Sequence, residues 1–184
     1  AGSGNSGDGG GAAYARLENC TVTGCKAHSD GGALRWCDAE GCVIKGNSMG
    51  GNSSYARGCA TVYGTLVNCL IADNEFESTV VGGSGAVYQS KLYGCTVTGN
   101  RNNASSDRYG AGVYGESSYL KLFNTIVYGN LSDGQPDELQ NVDGADLATC
   151  CTNDPSFVNA AAGDYRLLPT SVCHNAGKNS YVSG

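Results

Sequence analysis

The sequence predicts an all-β chain wound as a right-handed parallel β-helix of about six coils. Three observations predict it: a motif that recurs along the chain, apolar residues that alternate inside each copy, and a composition rich in glycine but poor in charge. The motif Leu17-Glu18-Asn19-Cys20-Thr21-Val22-Thr23-Gly24-Cys25 returns as Leu66-Val67-Asn68-Cys69-Leu70-Ile71-Ala72-Asp73-Asn74. It returns again from Leu92 to Asn100 and from Leu122 to Asn130, with a weaker copy from Ala39 to Asn47. The Cys20 slot recurs at Cys42, Cys69, Cys95 and Thr125, at spacings of 22, 27, 26 and 30 residues. A motif repeating every 20–50 residues is the mark of a stacked repeat architecture. Uneven spacing around a constant motif places loops of varying length outside a constant core.

Within each copy the Leu, Cys and Val/Ile slots point one way. Period-two alternation is strand chemistry. A second strand precedes each copy, at Gly11-Ala12-Ala13-Tyr14, Gly32-Ala33-Leu34-Arg35, Ala60-Thr61-Val62-Tyr63, Gly85-Ala86-Val87-Tyr88 and Ala111-Gly112-Val113-Tyr114. Two or three short strands per coil, separated by Gly, Asn and Ser, suit a solenoid rising about 4.8 Å per coil. Six coils, the last near residues 146–157, make a rod roughly 30 Å tall. Leu17, Ala39, Leu66, Leu92 and Leu122 then stack into one core row, and Val22, Ile44, Ile71, Val97 and Val127 into another. The N-terminal segment 1–11 is Gly/Ser-rich and offers a contact to a neighbouring copy. Residues 12–184 form a single domain closed by a capping segment from about residue 154.

The chain has 184 residues, 29 glycines, 3 prolines and a formal net charge of −6. An acidic surface argues against nucleic acid, which selects basic ones. No apolar run is long enough to span a membrane and no secretory leader opens the sequence, which reads as a mature or excised form. Ten cysteines, none in a C-x2-C pair, point away from zinc and toward an oxidised, exported chain. Cys20, Cys25, Cys37, Cys42, Cys59, Cys69, Cys95, Cys150, Cys151 and Cys173 are all candidates for disulfides. The alternative is a row of buried free thiols acting as small hydrophobes.

The slot ending each copy holds Cys25, Asn47, Asn74, Asn100 and Asn130. Stacked amides there would hydrogen-bond coil to coil. Tyr14, Arg35, Tyr63, Tyr88 and Tyr114 read as one outward row, either a sugar-stacking or protein-contact strip or simple cross-strand packing. Val43, Leu70 and Ile126 form an outward apolar row, which suggests cover by a loop or another chain. An enzyme of this architecture needs two or three clustered carboxylates, yet Asp30, Asp73, Asp107, Asp133 and Asp137 fall at unmatched offsets. The sequence therefore reads as non-catalytic, with no cofactor and no metal centre. Asp137, Glu138, Asp143 and Asp146 are the one acidic group, with calcium the ligand it would suit. Of the Asn-x-Ser/Thr matches, Asn52 and Asn103 lie in loops, whereas Asn19 and Asn130 occupy repeat slots.

The repeat, with its Gly-Gly-Ala strand and terminal Asn, resembles right-handed parallel β-helix repeats of bacterial surface proteins, including the polymorphic outer-membrane proteins of chlamydiae. The closing stretch Asp154-Pro155-Ser156-Phe157-Val158-Asn159, then Gly163-Asp164-Tyr165-Arg166-Leu167-Leu168-Pro169, then Ser171 and Asn175-Ala176-Gly177, resembles the end of choice-of-anchor Q proteins. Val172 and Asn175 stand where that class carries Pro and Asp. The resemblance implies an extracellular or cell-surface protein and no particular activity, since this fold hosts lyases, hydrolases, adhesins and structural rods. The expected function is a structural or adhesive module that self-associates head to tail into a filament. The alternatives are a carbohydrate-binding adhesin domain and a polysaccharide lyase or glycoside hydrolase.

Overall fold

A computed structural model describes residues 9–50, 56–77, 83–106, 108–115, 118–140 and 146–181. Short parallel strands stack into five sheets around one apolar core, forming a β-solenoid. The first sheet stacks Ala12–Ala13, Leu34–Arg35, Thr61–Val62, Val87–Tyr88, Val113–Tyr114 and Leu139–Gln140. The second stacks Arg16–Glu18, Asp38–Glu40, Thr65–Val67, Lys91–Tyr93, Lys121–Phe123 and Asp146–Ala148. The third stacks Thr21–Thr23, Val43–Lys45, Leu70–Ala72, Thr96–Thr98 and Ile126–Tyr128. The fourth runs from Lys26–Ala27 through Ser48–Met49, Glu75–Phe76 and Arg101–Asn102 to Leu131–Ser132. The fifth holds only Ala56–Arg57, Gly83–Ser84 and Arg108–Tyr109. A coil thus carries up to five short strands, more than the two or three expected.

The chain completes about four turns rather than six. The first coil lacks a strand in the fifth sheet, and the last contributes two strands and a single bridge, Ile126 to Cys151. Counting copies of the motif counts these partial turns as whole ones.

Register follows the motif. Leu17 pairs with Ala39, Ala39 with Leu66, Leu66 with Leu92 and Leu92 with Leu122. Ile44, Leu66, Ile71, Leu92, Leu122 and Val127 are fully buried. Each such side chain contributes about 1.5–3 kcal/mol on leaving water. The sheets meet at corners in the left-handed backbone region. One corner holds Asn19, Gly41, Asn68, Gly94, Asn124 and Thr149, at φ between 50° and 63°. Asn and Gly alternate there for a steric reason: a Cβ on Gly94 would lie 2.5 Å from Asn68 Oδ1.

Burial fades at both ends. Leu17 and Val22 are only half-buried and Cys20 is exposed, although their row-mates are closed. At the other end Leu147 is 38% exposed. An antiparallel strand, Gln135–Pro136, pairs with Leu131–Ser132 and closes the fourth sheet. Proline on an edge strand withholds a donor and blunts further pairing.

The segment expected to cap this end runs along the side of the solenoid. Phe157–Asn159 and Asp164–Leu167 form an antiparallel hairpin around a 3-10 turn, Ala160–Ala162, which Asn159 caps. Tyr165 Oη donates to Asp73 Oδ1 at 2.9 Å, and Lys45 sits 5.8 Å from the Tyr165 ring centre. Further on, Asn124 binds both backbone polar groups of Lys178, at 2.8 and 3.0 Å, and Tyr181 stacks on Phe123.

Candidate functional site

Two polar columns run through the interior. In the first, the Nδ2 of Asn47, Asn74 and Asn100 each donates to the Oδ1 of the next asparagine at 2.8–3.0 Å. Each also donates to a carbonyl of the preceding coil, at Val22, Ile44 and Ile71. Each Oδ1 in turn accepts the backbone N–H of the residue before it in the column, starting from Cys25. Glu138 ends the column, accepting from Gly129 N–H, Asn130 N–H and Asn130 Nδ2. Its carboxylate is therefore committed to the fold and withdrawn from the acidic group read as a calcium site. Among the described residues no three His, Cys, Asp or Glu side chains come together as metal ligands.

The second column is Cys20, Cys42, Cys69, Cys95, Thr125 and Cys150. All ten cysteines are free thiols, which corrects the disulfide expectation. The physical reason is orientation. The sulfurs of Cys42, Cys69 and Cys95 each accept the N–H of the cysteine before them at 3.4–3.5 Å. Cys20, Cys42, Cys69 and Cys95 each donate to the carbonyl two residues back. The thiols behave as hydrogen-bonding core groups. Burial pushes Cys95 and Cys59 well up, and Cys150 up to about 11. Cys25 and Cys37 lie outside this column, and burial also raises Cys25.

The tyrosine strip is not one row. Arg35 pairs with Ala13 and Val62, and Val62 with Tyr88, which pairs with Tyr114. Tyr14 and Tyr63 belong to the adjacent corner, with Trp36 and Gln89, all at φ near 50°. Aligning the tyrosines slips the first and third coils by one residue. Tyr88 and Tyr114 are 4% and 6% exposed, so they pack inward of the surface instead of facing it. The rings form a continuous column: Trp36 stacks on Tyr63 at 4.6 Å, Tyr63 meets Tyr88 edge-on at 5.7 Å, and Tyr88 stacks on Tyr114 at 5.8 Å. Beneath it, Arg57 grips Asp30 through two hydrogen bonds of 2.9 and 2.7 Å, and Arg35 approaches the same carboxylate at 3.8 Å. Burial lowers the Arg57 pKa, but Asp30 more than reverses this and holds the guanidinium charged. Trp36 and Arg57 escaped sequence reasoning, and Asp30 was weighed there only as a carboxylate at an unmatched offset. Trp36 was hidden by the one-residue slip, and no local pattern links Asp30 to Arg57.

Val43, Leu70 and Ile126 do share an outward row, which runs Thr21, Val43, Leu70, Thr96, Ile126 in register. All three are half-buried. Part of their cover is the chain's own hairpin: Leu70 and Thr96 line a cleft with Gly163, Asp164, Tyr165 and Arg166. Asn130 is buried in the asparagine column, whereas Asn103 is half-buried and donates to Glu75 at 2.7 Å. Asn52, Asp107, Asp143 and residues 1–8 lie outside the described residues. No helix is long and apolar enough to cross a membrane among the described residues. No family model, curated protein or solved structure matches this chain.

Proposed function

We propose that this β-solenoid is a non-catalytic structural or adhesive module of an extracellular or cell surface, and that it self-associates head to tail. The observation that carries the reading is the open N-terminal coil. Leu17, Cys20 and Val22 belong to rows that are closed in the coils between the two ends, and the first coil leaves them half-buried or exposed. The strands Ala12–Ala13, Arg16–Glu18 and Thr21–Thr23 are edges there. The occupant that fits is a second copy, because the far end offers the same rows. Leu147 continues the Leu row and Cys150 the Cys row, and among the described residues Leu139–Gln140 and Asp146–Ala148 are the last strands of the first and second sheets. The Gln135–Pro136 strand closes the fourth sheet, so the junction rests on the first two. The resemblance of the closing segment to choice-of-anchor Q proteins supports the exported location. Electron microscopy of the native protein tests the reading: the six strands stacked in each of the first two sheets predict rods with a subunit step of about 30 Å, and discrete single solenoids would overturn it.

A second reading, a carbohydrate-binding adhesin domain, is favoured by the Asp30–Arg57 pair beside the Trp36–Tyr63 stack. Aromatic faces and planar hydrogen-bonding pairs suit sugar rings. The stack uses ring faces internally, which leaves the outer face of Trp36 (42% exposed) and Tyr14 (74% exposed) as the platform. Glycan binding by the single solenoid, lost in Trp36→Ala, would favour it.

A further inference from the structure

The outer face of the second sheet is used by neither reading. Ala39, Leu66, Leu92 and Leu122 fill the core, so the residues flanking each of them point outward. Register extends these into two rows: Arg16, Asp38, Thr65, Lys91, Lys121 and Asp146, and beside them Glu18, Glu40, Val67, Tyr93, Phe123 and Ala148. Charge divides along the solenoid. Near the N-terminal end the exposed carboxylates of Glu18, Asp38 and Glu40 outnumber Arg16, which meets Glu18 at 2.8 Å and Glu40 at 3.9 Å. Further along, Lys91 and Lys121 stand in adjacent coils, where like charges repel. Lys91 Nζ lies 4.8 Å from the centre of the Tyr119 ring, and neither lysine makes a salt bridge among the described residues. Between the two halves lie Thr65, Val67 and Tyr93, all uncharged and half-buried. Relief is divided in the same way. Tyr181 stacks on Phe123 at 4.7 Å and builds a ridge beside Lys121, whereas Asp38, Glu40, Thr65 and Val67 line a shallow hollow.

We propose that this face is a lateral self-association surface, and that its occupant is the same face of a second copy, turned antiparallel about a two-fold axis that runs along the strands. Each strand then meets the strand equally far from the opposite end. In register, Asp38 opposes Lys121, Arg16 opposes Asp146 and Thr65 opposes Lys91, each twice by symmetry. No like charges face each other. Val67 meets Tyr93 at the centre, and the Phe123–Tyr181 ridge of one copy enters the hollow of the other. The parallel arrangement fails on the same residues, because it sets Lys91 against Lys91 and Lys121 against Lys121. Six strands, each three residues wide and spaced by about 4.8 Å, present roughly 250 Å². A stable complex buries about 800 Å² on each partner. The pair is therefore weak, short-lived and sensitive to salt. It uses a side face of the solenoid, so it is independent of the head-to-tail contact through the open coil.

The test captures the pair with a carbodiimide, which joins a carboxylate directly to an amine where the two touch. The full chain with natural nitrogen is mixed with the full chain carrying heavy nitrogen, so a linked peptide pair of mixed label reports a bond between copies. The expected result is a mixed-label link between Asp38 and Lys121 that disappears at high salt. Within one chain these residues stand three coils apart, roughly 14 Å. The Lys26–Glu77 contact at 2.6 Å lies within one chain and is the control, expected as a same-label link. Lys121→Glu sets a carboxylate against Asp38 and should abolish the mixed-label link. Adding Asp38→Lys to that variant restores opposite charges and should restore a link between the two positions. Both side chains point outward, so circular dichroism should stay unchanged. Absence of the mixed-label link while the control link forms, or failure of the double variant to regain it, would overturn the inference.

Discussion

Replacing Asn74 by alanine tests the asparagine column at its centre. Asn74 is fully buried. Its Nδ2 donates to Ile44 O at 3.0 Å and to Asn100 Oδ1 at 2.9 Å. Its Oδ1 accepts from the N–H and the Nδ2 of Asn47, both at 3.0 Å. Truncation deletes these four bonds and leaves the Asn47 N–H without its partner, while the Asn74 N–H keeps Asn100. Four bonds at a net value of about 1 kcal/mol each come to about 4 kcal/mol. That is a large share of a typical total stability of about 5–15 kcal/mol. The assay is equilibrium urea unfolding followed by circular dichroism. With a slope near 2 kcal/mol per molar, the midpoint should fall by about 2 M. Asn74→Asp should be no better, since it keeps the acceptors but loses both donors and buries a charge. Asn153→Ala, on an exposed turn, is the control and should move stability by under about 0.5 kcal/mol. A cost below about 1 kcal/mol for Asn74→Ala would show that the backbone ladder alone carries the coil.

Three further outcomes follow from the same contacts. Leu92→Ala, in a fully buried slot between Leu66 and Leu122, should cost about 3–4 kcal/mol in the same assay. Lys26→Ala removes a 2.6 Å contact to Glu77, but both side chains are substantially exposed, so the loss should stay under about 1 kcal/mol. Stability should fall as pH rises above about 9, because unfolded thiols ionise there while Cys150 holds its proton to about 11 and Cys59 holds its own still longer. The folded chain then binds more protons than the unfolded one, so the melting temperature should drop with pH. Cys59→Ala should make that drop shallower, and an identical slope would contradict the assignment.

The solenoid was legible because its constraint is periodic. Each coil must present the same inward slots at Leu66, Cys69, Ile71 and Asn74, so the motif survives loops of any length. Corners were legible for a similar reason, since Asn68 and Gly94 satisfy the same positive φ. The outer features were not legible, because nothing in a period fixes them. Tyrosines at the ends of Val-Tyr pairs looked equivalent, yet Tyr63 turns a corner while Tyr88 lies in a strand one row away. The pairings of Asp30 with Arg57, Glu138 with Asn130 and Tyr165 with Asp73 join residues that no local pattern relates. The thiols illustrate the limit best. Spacing set Cys42, Cys69 and Cys95 one coil apart, but only the direction of each sulfur shows that it bonds to a backbone N–H.

Sedimentation velocity over a concentration series, comparing the unaltered chain with Leu17→Lys, tests the central claim most directly. Leu17 lies half-buried on the open edge of the second sheet, in the row that Leu147 continues, and a lysine there extends its charged end past that edge. The account predicts species that grow with concentration in the unaltered chain and a single small species in the variant, at unchanged circular dichroism. A single species at every concentration for the unaltered chain, or equal growth for both, would contradict association through the open coil.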